Sequence, residues 1–186
     1  MCGRFALKNP QALKAALDLG EMPDLPPRYS IAPTQDIAII RAETVDTKPS
    51  FHAPFKHHRC IIPADGFYEW HEAGGIKIPH HIGREDGAPF ALAGLWNRWK
   101  GPQGEVARCT IIVTAANRFM KPLHDRIPVI LAPQDYPHWL DPDNHDTARL
   151  KQLLAPAPED SLTEWPVSRR LNNPQHDGAD SAEPAI

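Results

Sequence analysis

The chain has 186 residues, a length that most simply forms one domain with a core of its own. Its net charge of −3 shows no overall basic field of the kind that marks many nucleic-acid binders, although local phosphate contacts stay open. Three cysteines, none spaced as CxxC, exclude a disulfide framework, and no apolar run approaches the ~20 residues of a membrane-spanning helix. Without a signal-peptide pattern, these features predict a cytoplasmic protein with reduced thiols.

The first predicted element after the N-terminal segment is a short amphipathic helix. Asn9 and Pro10 have the form of an N-cap followed by proline at the first helical position, and Gly20 supplies a stop. A proline-rich loop over residues 21–35 and a buried strand over residues 37–40 are expected next. Residues 48–58 are expected to be irregular.

The rest of the chain alternates short apolar runs with turn residues. Gly74-Gly75 predicts a hairpin, and Pro128 predicts a bend or a sheet edge. The predicted strands cover residues 59–62, 67–70, 76–82, 90–96, 109–114 and 126–131, and helices are predicted around 133–139 and 146–154. The fold class is therefore α+β, an antiparallel barrel-like β-sheet with a few flanking helices. We expect a single domain over residues 1–171 and a loosely held C-terminal tail over 172–186.

The chemistry of the chain centres on Cys2. Removal of Met1 would leave Cys2 with a free α-amine beside its thiol, a 1,2-aminothiol. The amine can condense with an aldehyde, and the sulfur can then close a five-membered thiazolidine ring. Both groups are partly nucleophilic at neutral pH, because their ordinary pKa values are about 8 and about 8.5. The alternative is a small buried residue at an ordinary terminus. Cys60 and Cys109 lie in apolar runs and are interpreted as packed thiols.

A terminal aminothiol needs a proton-transfer group and cations for an anionic substrate. Glu69 stands among aromatic residues, which would desolvate its carboxylate, although strand periodicity alone favours a solvent-facing side chain. His124 stands at a strand entrance and is a candidate acid or base, or else a solvated loop residue. Arg4 and Arg126 are candidate phosphate ligands, or else surface ion-pairing residues.

A series of motifs resembles the SOS-response-associated peptidase family in order along the chain. They are Met1-Cys2-Gly3-Arg4-Phe5, Tyr29-Ser30-Ile31-Ala32-Pro33-Thr34, Cys60-Ile61-Ile62-Pro63-Ala64-Asp65-Gly66-Phe67-Tyr68-Glu69-Trp70, Gly94-Leu95-Trp96, Thr114-Ala115-Ala116-Asn117, His124-Asp125-Arg126-Ile127-Pro128-Val129-Ile130-Leu131 and Pro166-Val167-Ser168. The resemblance implies an abasic site processing protein of the DNA damage response. Such a protein removes its initiator methionine and links its terminal cysteine to the ring-opened sugar of an abasic site in single-stranded DNA.

The resemblance also implies roles for individual residues. Cys2 would be the nucleophile, Glu69 would assist proton transfer, and His124 would act as acid or base on the sugar and help to reverse the link. Arg4, Arg126 and, by one reading, Arg41 would contact the DNA backbone. The implied partner is single-stranded DNA that contains abasic sites. No metal, other cofactor or membrane contact is implied. The simplest expectation is a cytoplasmic monomer that associates with the nucleoid when it is bound to damaged DNA.

The chain departs from the family pattern after residue 34. Roughly thirty residues that the family carries between its Ala-Pro-Thr and Glu-Thr segments are missing, by alignment. The family's active-site asparagine falls on Ile39, whose side chain can neither donate nor accept a hydrogen bond. Two alternatives therefore stay open. One is a degenerate, merely DNA-binding member of the family. The other is an N-terminal-cysteine amidohydrolase, since class II glutamine amidotransferases also begin Met-Cys-Gly.

Overall fold

Two five-stranded sheets form the framework in a computed structural model, which describes residues 4–16, 25–31, 40–41, 44–102 and 104–185. The first sheet contains strands β1 Arg4–Leu7, β2 Arg28–Ile31, β5 Gly66–Ala73, β6 Ile76–Arg84 and β10 Leu162–Pro166. Their order across the sheet is β10-β6-β5-β1-β2, and every neighbouring pair is antiparallel. The hairpin between β5 and β6 turns at Gly74 and Gly75, both with positive φ, as predicted.

The second sheet contains β3 Ile40–Arg41, β4 Arg59–Ala64, β7 Phe90–Gly101, β8 Gly104–Ala115 and β9 Arg126–Pro128. Its order is β3-β8-β7-β4, with β9 also paired to β8, and only the β3–β8 pair within the described strands is parallel. The predicted α+β class is confirmed. The sheets are not closed into a barrel, since each keeps two edge strands.

Four α-helices lie among the described residues: α1 Pro10–Ala16, α2 Pro49–His57, α3 Tyr136–Leu140 and α4 Thr147–Gln152. The predicted cap of α1 is confirmed, because Asn9 Oδ1 accepts a hydrogen bond from the Ala12 amide at 3.0 Å. Gly20, the predicted stop, lies outside the described residues, as do residues 37–39 of the predicted strand. None of the described helices has the length and apolar character needed to cross a membrane.

The prediction of an irregular segment over residues 48–58 is wrong, because α2 occupies most of it. Pro49 is compatible with a helix at its first turn, where the missing N–H has no partner to lose. Phe51 and Phe55 are four residues apart, and both pack against the core below the second sheet. Burial of this aromatic face outweighs the cost of Pro54 inside the helix.

Three apolar clusters hold these layers together. The cluster between the two sheets includes Phe67 of β5 and Leu92 of β7, and a second cluster packs α2, α3 and α4 against the far side of β7 around Trp139. The third cluster lies on the outer face of the first sheet, where Tyr68 meets Leu171 of the C-terminal segment. Both faces of β5 are therefore covered.

The C-terminal segment, expected to be a loosely held tail, makes specific contacts. Asp177 accepts hydrogen bonds from the amides of Tyr29 and Ser30 at 2.7 and 2.6 Å, and its other oxygen pairs with Arg28 at 2.5 Å. Ser181 is fully buried, and the Ala185 amide donates to the Pro166 carbonyl at 2.8 Å. These contacts join residues far apart in sequence, which is why local composition did not reveal them.

Strands β7 and β8 continue well beyond the second sheet as a two-stranded hairpin. We call residues 97–108 the ribbon; its register runs from Asn97 opposite Arg108 to Gly101 opposite Gly104. For residues 97–100 the sequence favours a solvated turn over a nucleic-acid contact; the residues are exposed, as predicted, but they form a strand and not a turn. Both faces of the ribbon are open to solvent, so it lacks the apolar alternation by which a half-buried strand is recognised.

Candidate active site

Glu69 is buried in the middle of β5, with only 3% of its surface exposed. It alternates with Tyr68 and therefore points to the same side as Phe67, toward the space between the two sheets. Burial raises the pKa of Glu69, and the negative charge of Asp125 acts in the same direction, while the charge of His124 lowers it. The prediction that the Glu69 carboxyl is desolvated is confirmed, and the alternative of a solvent-facing side chain is wrong.

His124 lies in the connection between β8 and β9, where its amide donates to the Met120 carbonyl at 2.9 Å. The ring Nδ1 accepts a hydrogen bond from the Arg126 amide at 2.9 Å, so the neutral ring carries its proton on Nε2. Asp125 Oδ1 lies 3.0 Å from the same Nδ1 and would accept its proton in the imidazolium form. The His124 side chain is 28% exposed and therefore borders the solvent.

The fold brings Glu69 and His124 together although 55 positions separate them, since the charge of His124 and that of Asp125 both act on the Glu69 carboxyl. Arg126 begins β9 opposite Ala115 and is partly buried. Three of the six residues predicted from the sequence therefore lie at one end of the space between the sheets. The arrangement combines a buried carboxyl of raised pKa with a histidine of defined tautomer, and Arg126 follows that histidine by two positions.

Arg4 lies on the other side of the first sheet. It pairs with Tyr68, the neighbour of Glu69 in β5, and consecutive strand residues point to opposite faces. Its guanidinium donates to the Leu171 carbonyl and lies 5.3 Å from the ring centroid of Trp70. Burial lowers the pKa of Arg4. The structure thus does not bring the Arg4 side chain to the face of Glu69, and a DNA-binding role for Arg4 stays a prediction.

An open pocket of about 390 Å³ lies beside Arg4 and is lined also by Trp70, Lys77 and Asn172. Trp70 Nε1 donates to Asn172 Oδ1 at 2.7 Å, which holds the indole against the C-terminal segment. The pocket joins two cationic side chains to one aromatic ring.

The remaining predicted site residues lie partly or wholly outside the described residues. Cys2 precedes the first described residue, and Ile39 lies outside the described residues, immediately before β3. The backbone of Arg41 pairs with Val113 in β3, while its side chain is not described.

Two neighbours of Glu69 were missed by sequence reasoning. His80 lies directly opposite Glu69 in β6, and its Nδ1 is 2.5 Å from Glu164 Oε2 of β10. Side chains of directly opposed residues share a face, so Glu69 and His80 lie on the same face of the sheet. Glu164 is opposite Ile82 rather than His80, and it reaches the His80 ring diagonally on that face. No local signal connects Glu164 to His80, because 84 positions separate them. His80 and His81 point to opposite faces, as the strand pattern predicts.

The other thiols are poor nucleophiles. Burial raises the pKa of Cys60 to about 12 and also raises that of Cys109, so both are protonated at neutral pH. Cys109 is nevertheless exposed as a residue, so its interpretation as a packed side chain is wrong. Among residues that the structure describes, no three His, Cys, Asp or Glu side chains cluster in a way that could hold a metal ion.

Comparison with known proteins defines the class to which this fold and site belong. The model of the family described as SOS response associated peptidase (SRAP) matches residues 39–174. The abasic site processing protein YoaM of Bacillus subtilis is 35% identical over 221 positions, covering 97% of this chain and 96% of YoaM. The chain belongs to the SRAP family.

Two further relatives extend the comparison. The abasic site processing protein YedK of Escherichia coli is 27% identical over 222 positions, and the alignment covers 99% of this chain and all of YedK. A crystal structure of a protein from Bacteroides thetaiotaomicron has the same fold, with a TM-score of 0.81 at 24% identity over the whole of both chains. The alignment with YoaM is 35 positions longer than this chain, which confirms that the chain is shortened relative to that protein.

Proposed function

We propose that this protein processes abasic sites in single-stranded DNA by forming a covalent thiazolidine link through Cys2, after autoproteolytic removal of Met1. The observation that carries the proposal is the buried Glu69 carboxyl, with its raised pKa, next to the start of β1 and within electrostatic range of His124. Relatives named abasic site processing proteins support the choice of substrate.

The N-terminus can reach this carboxyl. Strand β1 begins at Arg4, opposite Tyr68 and therefore one position along the partner strand from Glu69. A chain spans about 3.8 Å per residue, so the two residues from Arg4 back to Cys2 allow an amine and a thiol to approach Glu69. A reactive terminus, rather than an internal residue, explains why removal of Met1 would be needed first.

The proposed reaction proceeds in two bond-forming steps. The α-amine of Cys2 attacks C1′ of the ring-opened deoxyribose aldehyde, and water leaves to give an imine. Cys2 Sγ then bonds to the same carbon while the thiol proton passes to the imine nitrogen, which closes the ring. A protonated Glu69 donates to the departing hydroxyl and then serves as base; burial raises its pKa, which favours the protonated form that this first step needs.

His124 is proposed to act on the sugar from the solvent side of the site. With Nδ1 accepting from the Arg126 amide, the proton on Nε2 is available for donation to the ring oxygen during sugar opening. Arg126 would bind a flanking phosphate. Single-stranded DNA suits this site because the aldehyde must enter a space between two sheets without a paired strand in the way.

The test is an adduct assay with an oligonucleotide that contains one abasic site. The wild-type protein, its mature N-terminus verified by mass spectrometry, should form an adduct that survives denaturing electrophoresis. Cys2→Ala should form none, and a blocking N-terminal extension should have the same effect. An adduct that persists in Cys2→Ala would refute the proposal.

Matched variants test the assigned roles. Glu69→Gln should slow adduct formation by roughly 100-fold, the usual scale for loss of a proton-transfer group. Glu72→Gln, on the exposed end of the same strand, is the control and should react at the wild-type rate. His124→Ala should slow formation or reversal, whereas His138→Ala, at an exposed position of α3, should not. Equal rates in Glu69→Gln and wild type would remove Glu69 from the mechanism. Release of ammonia from glutamine would instead point to the amidohydrolase chemistry.

A further inference from the structure

We propose that the ribbon, residues 97–108, is a second binding surface for single-stranded nucleic acid, separate from the site at Glu69 and His124. The inference rests on the proposed function, because the strand bound here would be the flank of the strand that carries the abasic site. The ribbon is not needed to explain the fold, since it projects beyond both sheets and buries neither of its faces.

An aromatic platform lies on one face of the ribbon. Trp99 and Val106 are directly opposed and are 45% and 44% exposed. The Trp99 indole lies over Gly101, where any Cβ would collide with the ring. The Arg108 guanidinium is 4.0 Å from the Trp99 ring centroid, so a cation is already stacked on the aromatic surface. This geometry keeps a large ring flat and open to solvent.

The charge of the ribbon is opposite to that of the chain. Residues 97–108 carry Arg98, Lys100 and Arg108 against the single acid Glu105, a net charge of +2 in a protein of net −3. Glu105 is paired with Arg98 at 3.0 Å. Exposed aromatic rings beside cations on an otherwise acidic molecule match the bases and phosphates of a single strand.

The surface continues at the base of the ribbon. A cavity of about 190 Å³ opens there between the ribbon and α2, lined by Ser50, Phe51, Trp96 and Arg108 among others. Trp96 itself packs against His58, with ring centroids 4.5 Å apart and the ring planes tilted by 32°. Arg108 thus borders both the Trp99 platform and this cavity, which provides polar and aromatic groups for a neighbouring nucleotide.

The distance between the two surfaces follows from strand geometry. Ala115, opposite Arg126 at the candidate active site, and Val106 of the ribbon are nine residues apart on β8. At about 3.3 Å per residue the separation is about 30 Å. This equals about nine nucleotides at the ~3.4 Å rise per strand of B-DNA, and fewer for an extended strand. An oligonucleotide of about 25 nucleotides should therefore reach both surfaces at once, whereas one of about five could do so only when almost fully extended.

The experiment compares Trp99→Ala and Arg108→Gln with wild type on unmodified oligothymidylate of about 5 and about 25 nucleotides, by fluorescence anisotropy. Trp99→Ala should weaken binding of the long strand roughly fivefold or more. Arg108→Gln should reduce the slope of log affinity against log salt by about 1. Arg118→Gln is the control, because Arg118 is 88% exposed and lies away from the ribbon beside Glu159. Because the substituted ribbon side chains are exposed, the variants should unfold at the wild-type denaturant concentration.

Two outcomes would overturn the inference: unchanged long-strand affinity in both variants, or a change confined to self-association in sedimentation velocity. The last result would identify the ribbon as a contact between copies of this chain. Failure of the proposed function has a different signature. In that case wild-type protein forms no adduct with any abasic oligonucleotide, while ribbon-dependent binding of the long unmodified strand persists.

Discussion

His81 should make the protein sensitive to acid. The imidazole is 1% exposed, stacks on Trp165 with ring centroids 4.6 Å apart at 23°, and meets the edge of Tyr68 at 5.3 Å. Burial lowers the pKa of His81 from its ordinary 6.5 to about 3, and the positive charge of Lys8 acts in the same direction. The folded protein therefore holds this ring neutral.

The sign and size of the effect follow from linkage. Between pH 6.5 and pH 3 the unfolded chain binds a proton at His81 that the folded chain does not bind. The stabilisation from the neutral ring is thus complete above pH 6.5 and is lost as the pH falls toward 3. Each pH unit in that window costs about 1.4 kcal/mol. The loss is about 3 kcal/mol at pH 4.5 and approaches about 5 kcal/mol at pH 3.

The assay measures the free energy of unfolding by urea denaturation at pH 7.5 and pH 4.5 for wild type and His81→Phe. Phenylalanine keeps a ring against Trp165 and removes the titration, so the difference between the proteins should shift by about 3 kcal/mol in favour of the variant at pH 4.5. Ile82→Val, at the next buried position, should cost about 1 kcal/mol at both pH values. A wild-type to His81→Phe difference that does not change with pH would refute the reasoning.

Three further predictions concern buried groups. Glu69→Gln should raise the free energy of unfolding at neutral pH, because burial makes the carboxylate charge unfavourable in the folded protein, as its raised pKa shows. The gain should vanish in acid, where the carboxyl is protonated in both the folded and the unfolded chain. Urea denaturation at both pH values measures the difference. The Arg59 guanidinium donates to five backbone carbonyls. Arg59→Met should lower the free energy of unfolding by at least about 3 kcal/mol and Arg59→Lys by less, as measured by urea denaturation. Gly66→Ala should destabilise by about 1–3 kcal/mol because the new methyl collides with the His81 ring and crowds the Ile82 carbonyl oxygen. A double-mutant cycle with His81→Ala should recover the part of that loss due to the ring, and strict additivity would contradict the contact.

The sequence predicted elements best where local chemistry decides them. The Asn9 cap, the Gly74-Gly75 turn and the strands on either side of it are confirmed, because capping and positive φ act over a few residues. Helix α2 was missed because a buried aromatic face, invisible without the sheet below it, compensates Pro54.

The candidate site was predictable only in part, for a related reason. Phe67, Tyr68 and Glu69 are all buried because β5 is covered on both faces, and a period of two carries no information in such a strand. The motif placed Glu69 and His124 in one site, and the fold brings them together. Arg4 belongs to the same motif as Cys2, yet the register of β1 directs its side chain to the opposite face, which only the pairing with Tyr68 reveals.

The contact of Asp177 with β2 has a consequence for how the protein can be handled. Strand β2 is an edge strand of the first sheet. The Asp177 carboxylate accepts hydrogen bonds from two of its amides, with which an additional strand could otherwise pair. Truncation before this residue would uncover that edge while leaving Glu69 and His124 in the polypeptide. Such a shortened product should be prone to join edge to edge with its own copies, so affinity tags are better appended after Ile186 than substituted for the final stretch.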